Sequence, residues 1–443
     1  MSANDDDLIT DAFARRRLTA REDTQLSHLR GFIDRGEFAT SHRSVRMAVE
    51  ALVAFAVAAL AITLVIALAR HQAPTSTIGS RPGPNPPSVV TRPSVPPTPS
   101  PTPSNTCTGL LPQGTPTGLL TGIQALGAEH IWMVGDGRIL SSHDGGANWR
   151  LEYTGPEQFS SVDAIDDNHA WAVAGDSLLG TTDGGRTWTH LAEPFSPLAS
   201  VHFVGDKTGF GVVASTCSLA VTADGGHVWQ VTDAAPPGVT SVCFTDAGHG
   251  WVGAGGQLWR TGNGGATWKS VLDTRDPAFS GITAQLAVEC ASGGGVSVEA
   301  FGVGGAAGNS PNAAWVSSSG DQFTEVWAGG MWPASDTVAN GPGSYPGPFS
   351  IVDSRHTVWI GNTPALYPYN AALLETAGTN TVAPSVPVTC EGLAVAAAFT
   401  TTSHGWVLCL VNPSVGGAAS EGTSVLVTND AGHTWTVKYT ARR

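Results

Sequence analysis

Two hydrophobic patterns of different kind divide the chain. Between residues 47 and 68 the only charged side chain is Glu50, and residues 51–69 are all apolar or small. A helix rises about 1.5 Å per residue, so this run is long enough to cross the hydrocarbon core of a bilayer. The sequence therefore predicts one transmembrane helix over 47–69. From residue 118 onward the apolar runs are short, centred on Trp or Phe, and closed by turn residues: Ile131-Trp132-Met133-Val134, Ala170-Trp171-Ala172-Val173, Gly209-Phe210-Gly211-Val212, Gly250-Trp251-Val252-Gly253, Val358-Trp359-Ile360-Gly361 and Gly405-Trp406-Val407-Leu408, with a weaker version at Val296-Ser297-Val298-Glu299-Ala300-Phe301. Such runs read as β-strands, and their recurrence makes seven units. Residues 118–443 then hold about 47 residues per unit, enough for four short strands and some long loops.

A second repeated element follows these strands. Asp144-Gly145-Gly146-Ala147-Asn148-Trp149 returns as Asp183 to Trp188, Asp224 to Trp229, Asn263 to Trp268 and Asp430 to Trp435, with a worn copy at Ser318-Ser319-Gly320-Asp321-Gln322-Phe323. The acidic or amide side chain caps backbone N–H groups of a hairpin, glycine supplies positive φ, and Trp packs inward as the next strand begins. This gives Asp144, Trp149, Asp183, Trp188, Asp224, Trp229, Asn263, Trp268, Asp430 and Trp435 structural roles. His130, His169, His249, His356 and His404 share one slot of the repeat. Repeat equivalence puts them on separate blades, too far apart for one metal ion with bonds of about 2 Å, so they are turn residues and no metal or cofactor is expected.

These units resemble the Asp-box, or BNR, repeats of sialidases, two-domain xyloglucanases, sortilin-type receptors and the photosystem II stability and assembly factor family. The last is similar over residues 118–443, through His249-Gly250-Trp251 and Thr182-Asp183-Gly184-Gly185-Arg186-Thr187-Trp188. The resemblance implies an all-β, seven-bladed β-propeller over 107–443, with the boxes at the blade periphery and the binding face elsewhere. The Arg-rich surface it implies for photosystem assembly has no clustered run of Arg to match it here.

Composition and charge refine this picture. Residues 1–46 balance eight Arg against eight acids, while residues 106–443 carry 11 basic and 27 acidic side chains, a net −16. That field disfavours nucleic acid and anionic lipid. The Arg excess before the span places the N-terminus in the cytoplasm, and therefore the C-terminal domain outside the cell membrane. A cleaved signal peptide fits poorly, because the preceding segment is far too long. In the tail (1–46), two helical pieces are expected, the second with a Thr19 to Glu22 capping box and a Leu26, Leu29, Phe32, Ile33 stripe that could dock a cytoplasmic partner. The linker, 70–106, is rich in Pro, Ser and Thr, with eleven Pro between residues 73 and 105, and cannot form a packed core. All six cysteines follow the span, which fits an oxidising compartment. Cys217 with Cys243, and Cys107 with Cys390, are one pairing out of 15, and buried free thiols are the alternative.

Enzyme signatures are sparse. The chain has no HExxH, P-loop or G-x-S-x-G sequence. Gly302-Val303-Gly304-Gly305-Ala306-Ala307 lies within a β repeat without a following helix. A sialidase needs an Arg clamp, a Tyr nucleophile and acids converging at the axis, and only Tyr153, Tyr345, Tyr367, Tyr369 and Tyr439 are available. The loops 271–281, 327–349, 375–390 and 412–422, opposite the boxes, are long, and long loops on a rigid scaffold carry function. Asp273, Arg275, Asp276, Trp332 and Tyr345 are the candidate contacts to an extracellular protein or a cell-wall glycan. The expected function is a membrane-anchored binding or assembly scaffold. The alternatives are a tethered glycoside hydrolase and a transmembrane sensor.

Overall fold

The structure is a computed structural model describing residues 119–174, 177–191, 197–274, 284–302, 310–330, 339–363, 370–381, 385–411 and 422–442. The expected tail helices, membrane span and Pro-rich linker lie outside these residues. Among the described residues no helix is long and apolar enough to cross a membrane.

The described chain forms seven sheets, each built from consecutive strands and antiparallel except for one parallel pair at the edge of the fifth, Thr324–Gly329 with Ala339–Asn340. Their innermost strands are Gly122–Ala125, Phe159–Ala164, Leu198–Phe203, Val239–Phe244, Ala284–Cys290, Phe349–Ile351 and Leu393–Phe399. Each of these packs on the next, and the seventh packs on the first, closing a seven-bladed β-propeller. The second strands, among them Ile131–Gly135, Ala170–Ala174, Gly209–Val213 and Gly250–Ala254, are buried along their whole length. A strand covered on both faces by neighbouring blades reads as a continuous apolar run instead of an alternating one, which is why these segments dominate the sequence pattern. The outermost strands of blades 2 and 3, Thr189–His190 and Gln230–Val231, are two residues each and exposed, which blunts the open edges of those sheets.

The core is divided in the same way. Seven apolar clusters occupy the seven seams between blades. In five blades the residue opposite the penultimate position of the inner strand is the repeated aromatic: Trp132, Trp171, Phe210, Trp251 and Trp406. Blade 6 departs from the expected alignment. Val358, not Trp359, occupies the aromatic slot, opposite Ser350, and Trp359 pairs with Phe349. With side chains alternating along a strand, this shift turns Trp359 back onto blade 5, where it meets Trp327 edge-on at 5.6 Å between ring centres.

The cysteine pairing also differs from the expectation. Cys243 is bonded to Cys290 and Cys390 to Cys409, and Cys217 is also disulfide-bonded. The first bond joins blades 4 and 5 and the second joins blade 7 to the segment that enters it. Cys243 and Cys290 pair because both reach the seam between the inner strands of blades 4 and 5, and spacing along the chain does not show that.

Candidate functional site: two faces and the axis of the ring

Antiparallel blades place the turns between first and second strands, and between third and fourth, at one end of the ring. We call this end the turn face. Connections between second and third strands, and from blade to blade, lie at the other end, the loop face.

On the turn face the repeated box builds one hydrogen-bonded turn five times. The hydroxyl two residues before the acid donates to its Oδ1: Ser142 to Asp144, Thr181 to Asp183, Thr222 to Asp224, Thr261 to Asn263 and Thr428 to Asp430, at 2.8–3.0 Å. The same Oδ1 accepts the backbone N–H four residues on, from Asn148, Thr187, Val228, Thr267 and Thr434. These bonds favour the carboxylate. Asp144 is held down to about 2, chiefly by the Asn148 N–H, and Asp183, Asp224 and Asp430 are lowered for the same reason. In the worn copy one residue is missing, and Ser317 Oγ accepts the Gly320 N–H three residues on, where the regular copies make this bond over four.

Two further sets of bonds commit this face to structure. His169, His249 and His356 each place Nδ1 on an aspartate three residues earlier, Asp166, Asp246 and Asp353, at 2.9–3.1 Å. His130 reaches Asp167 of blade 2, and His404 bonds Asn429. The five histidines therefore serve turns and a seam. The indole N–H of Trp171, Trp251 and Trp406 donates to the carbonyl of Gly225, Gly320 and Gly145 on the following blade. Box Trp229 and Trp268 fold back onto Gly226 and Gly265 of their own turns.

At the axis, one register position does a job that sequence analysis missed. The penultimate residue of each inner strand reaches the last residue of the next blade's inner strand. Gln124 bonds the backbone of Ala164. Asp163 accepts the Phe203 N–H at 2.6 Å, and His202 Nε2 donates to the Phe244 carbonyl at 2.8 Å. Cys243 is bonded covalently to Cys290. Glu289 accepts the Ile351 N–H at 2.8 Å and Ser350 Oγ the Phe399 N–H at 3.0 Å. Six seams are clasped in this way. The equivalent residue at the seventh seam, between blades 7 and 1, is Ala398, which faces Ala125 with no polar atom to offer.

The clasps absorb the chemistry at the axis. His202, Cys243 and Cys290 lie close enough to suggest a metal site, but the two sulfurs are bonded to each other and His202 is held by a carbonyl. Burial pushes the Asp163 carboxyl up against the pull of His202 and the Phe203 N–H, and pushes Glu289 up to about 7. The sign of the resulting pH dependence follows from linkage. Unfolded Glu289 releases its proton near pH 4.5 while the folded group holds it until about 7, so its contribution to stability falls as pH rises through that window. We expect Glu289→Gln to remove this slope, measured as the difference between urea midpoints of variant and parent at pH 5 and pH 8. An unchanged slope would show that Glu289 titrates normally.

Of the five loop-face candidates, the structure describes two. Asp273 ends the outer strand Lys269–Asp273 of blade 4 and accepts from Gln257 Nε2 at 3.0 Å. Tyr345 lies in the connection from blade 5 to blade 6, bridged to Asn362 and 37% exposed. They share the loop face on successive connections, and each of these contacts is local to its own blade or junction. Arg275, Asp276 and Trp332 lie outside the described residues.

No family model and no curated protein matches this chain. Among solved structures it is similar to YCF48 bound to D1 peptide, at 14% identity and a TM-score of 0.44 over 67% of this chain and 91% of that one. It is similar to an ancestral GH74 enzyme at 14% identity and a TM-score of 0.46, over 73% of this chain and 46% of that one. The GH74 xyloglucanase from Xanthomonas campestris follows at 13% and 0.40, over 71% and 59%. At these scores the likenesses carry no argument for function.

Proposed function

We propose that this chain is a membrane-tethered, extracellular binding scaffold whose loop face engages a surface protein or a cell-wall glycan, and that its repeated turns are Asp-box repeats. The observation that carries this reading is the state of the axis. The described acids there, Asp163 and Glu289, hold backbone N–H groups of neighbouring blades, and among the described residues no Arg lies on an inner strand. A glycoside hydrolase needs two carboxyl groups converging on one bond, and carboxylates engaged as clasps are poorly placed for that. The apolar run at 47–69 and the Arg-rich segment before it support the anchor and the orientation.

The test uses the full-length chain on intact cells. Protease added outside is expected to clip within 70–106 and release the propeller. Tyr345→Ala and Asp273→Ala are expected to reduce capture of wall fragments or surface proteins about five-fold each, the loss of ~1 kcal/mol per contact. Undiminished capture by both variants contradicts the loop-face assignment. Release of reducing sugar from wall glycan by the full-length chain contradicts the scaffold reading in favour of the hydrolase.

A further inference from the structure

The seam between blades 5 and 6 is built unlike the others on the turn face. At the seams after blades 2, 4 and 7 an indole from the second strand lies beneath the box glycine of the next blade and donates to its carbonyl. After blade 1, Trp132 fills the same space under Gly185. After blade 3, Phe210 stacks on Phe244, and after blade 6, Leu373 sits beneath Gly432. After blade 5 the slot holds Ser297, and blade 6 turns through Gly378 in place of a box. A cleft of about 250 Å³ opens at this seam, with Ser297 in its lining.

Its lining is hydroxyl-rich. The floor is Ser297 and Thr357, 1% and 2% exposed and bonded to each other at 2.6 Å. Ser318, Ser319, Thr324 and Gln322 form one wall, and Asp353 and Arg355 form the rim of the other. Asp353 stays ionised, its carboxylate held by His356 and by the Arg355 and His356 N–H groups, and the Arg355 guanidinium is the cationic group in the lining. A second cleft, about 350 Å³ between blades 2 and 3, has Trp171 in its lining, with its N–H already taken by Gly225.

We propose that the blade 5–6 cleft binds a single sugar ring carrying a carboxylate. Hydroxyls both donate and accept, so a wall of Ser and Thr matches a polyol in either direction, and Arg355 matches a carboxylate. The lining has no aromatic ring to stack a nucleobase and only Val316 and Ile351 to meet an apolar side chain. The volume is below the roughly 300–1,000 Å³ of sites for drug-sized ligands, which limits the occupant to one ring. Charges beyond about 8 Å are screened at physiological ionic strength, so the local balance is between the Arg355 guanidinium and the Asp353 carboxylate, which is turned to His356 and two backbone N–H groups. This site is on the face opposite the loop-face candidates, so its fate is independent of theirs.

The experiment titrates the full-length chain with glucuronate, glucose and inorganic phosphate, read by saturation-transfer NMR. Glucuronate is expected to bind with a Kd of about 1 mM, as suits a small ligand in an open cleft, and glucose about ten-fold more weakly. Arg355→Ala should remove the preference of glucuronate over glucose, and Gln322→Ala should weaken both. Ser297→Trp, which restores the indole of the other seams, should abolish both. Gln322 and Arg355 are exposed, so those variants report even where Ser297→Trp fails to fold. The proposal is overturned if neither sugar binds, if the Arg355 and Gln322 variants bind unchanged, or if phosphate binds as tightly as glucuronate.

Discussion

Trp406→Ala should be the most damaging single substitution at the closure of the ring. Trp406 is fully buried, packs into the cluster that joins blade 7 to blade 1, and donates to the Gly145 carbonyl at 3.3 Å. This is the seam where Ala398 provides no axial clasp. The other hydrogen bond described across it runs from the Leu120 N–H to Thr423 Oγ1, towards the loop face. Truncating a buried Trp costs about 3–5 kcal/mol, which corresponds to a fall in Tm of roughly 4–7 °C for a domain of this size. Trp435, half-buried with an indole N–H that finds no partner, is the control, and its truncation should cost less than half as much. Calorimetry of both variants checks this. Equal losses would mean that the closure seam has no special weight.

Breaking the Cys243–Cys290 bond is the second large effect. It closes a loop of 47 residues, against 19 for Cys390–Cys409. The chain-entropy relation gives about 4 kcal/mol for the first and about 3 for the second. The first also removes the clasp between blades 4 and 5, the only covalent one in the register described. Cys243→Ala with Cys290→Ala should therefore lower the urea midpoint more than Cys390→Ala with Cys409→Ala. The reverse order would show that axial position adds nothing to the loop term.

The parts of this molecule that were legible in its sequence are those that repeat a residue type. Asp144, Asp183, Asp224 and Asp430 perform one task with one side chain, so the turns, the histidine slot and the number of blades could be read directly. The axial clasp repeats a position instead. Gln124, Asp163, His202, Cys243, Glu289 and Ser350 all bridge to the next blade, but by an amide, two carboxylates, an imidazole, a disulfide and a hydroxyl, and no residue pattern marks them. Alignment of the seven units on the residue before the end of each inner strand is the signal that would have found them. Blade 6 misled for a related reason. In Thr357-Val358-Trp359-Ile360 either of two adjacent residues can fill an apolar slot, and a one-residue slip exchanges the faces of a strand. Cys217 with Cys243 follows from neighbouring blades alone, whereas the bond from Cys243 goes to the blade on its other side, at a position of the inner strands that neighbourhood does not mark. On the loop face, the chemistry that would join Asp273 and Tyr345 to a ligand is not written in either residue alone.

The seventh seam offers the most direct measurement of ring closure and register together. By the repeat, Ala398 and Ala125 stand where Cys243 and Cys290 stand between blades 4 and 5, with Cα atoms 5.9 Å apart in that pair, within the range a disulfide spans. Ala398→Cys with Ala125→Cys, produced under oxidising conditions and mapped by non-reducing peptide mass spectrometry, should yield a 125–398 cross-link and a higher Tm that reductant abolishes. Two free thiols at these positions, or cross-links to other cysteines, would contradict a closed seven-bladed ring in this register.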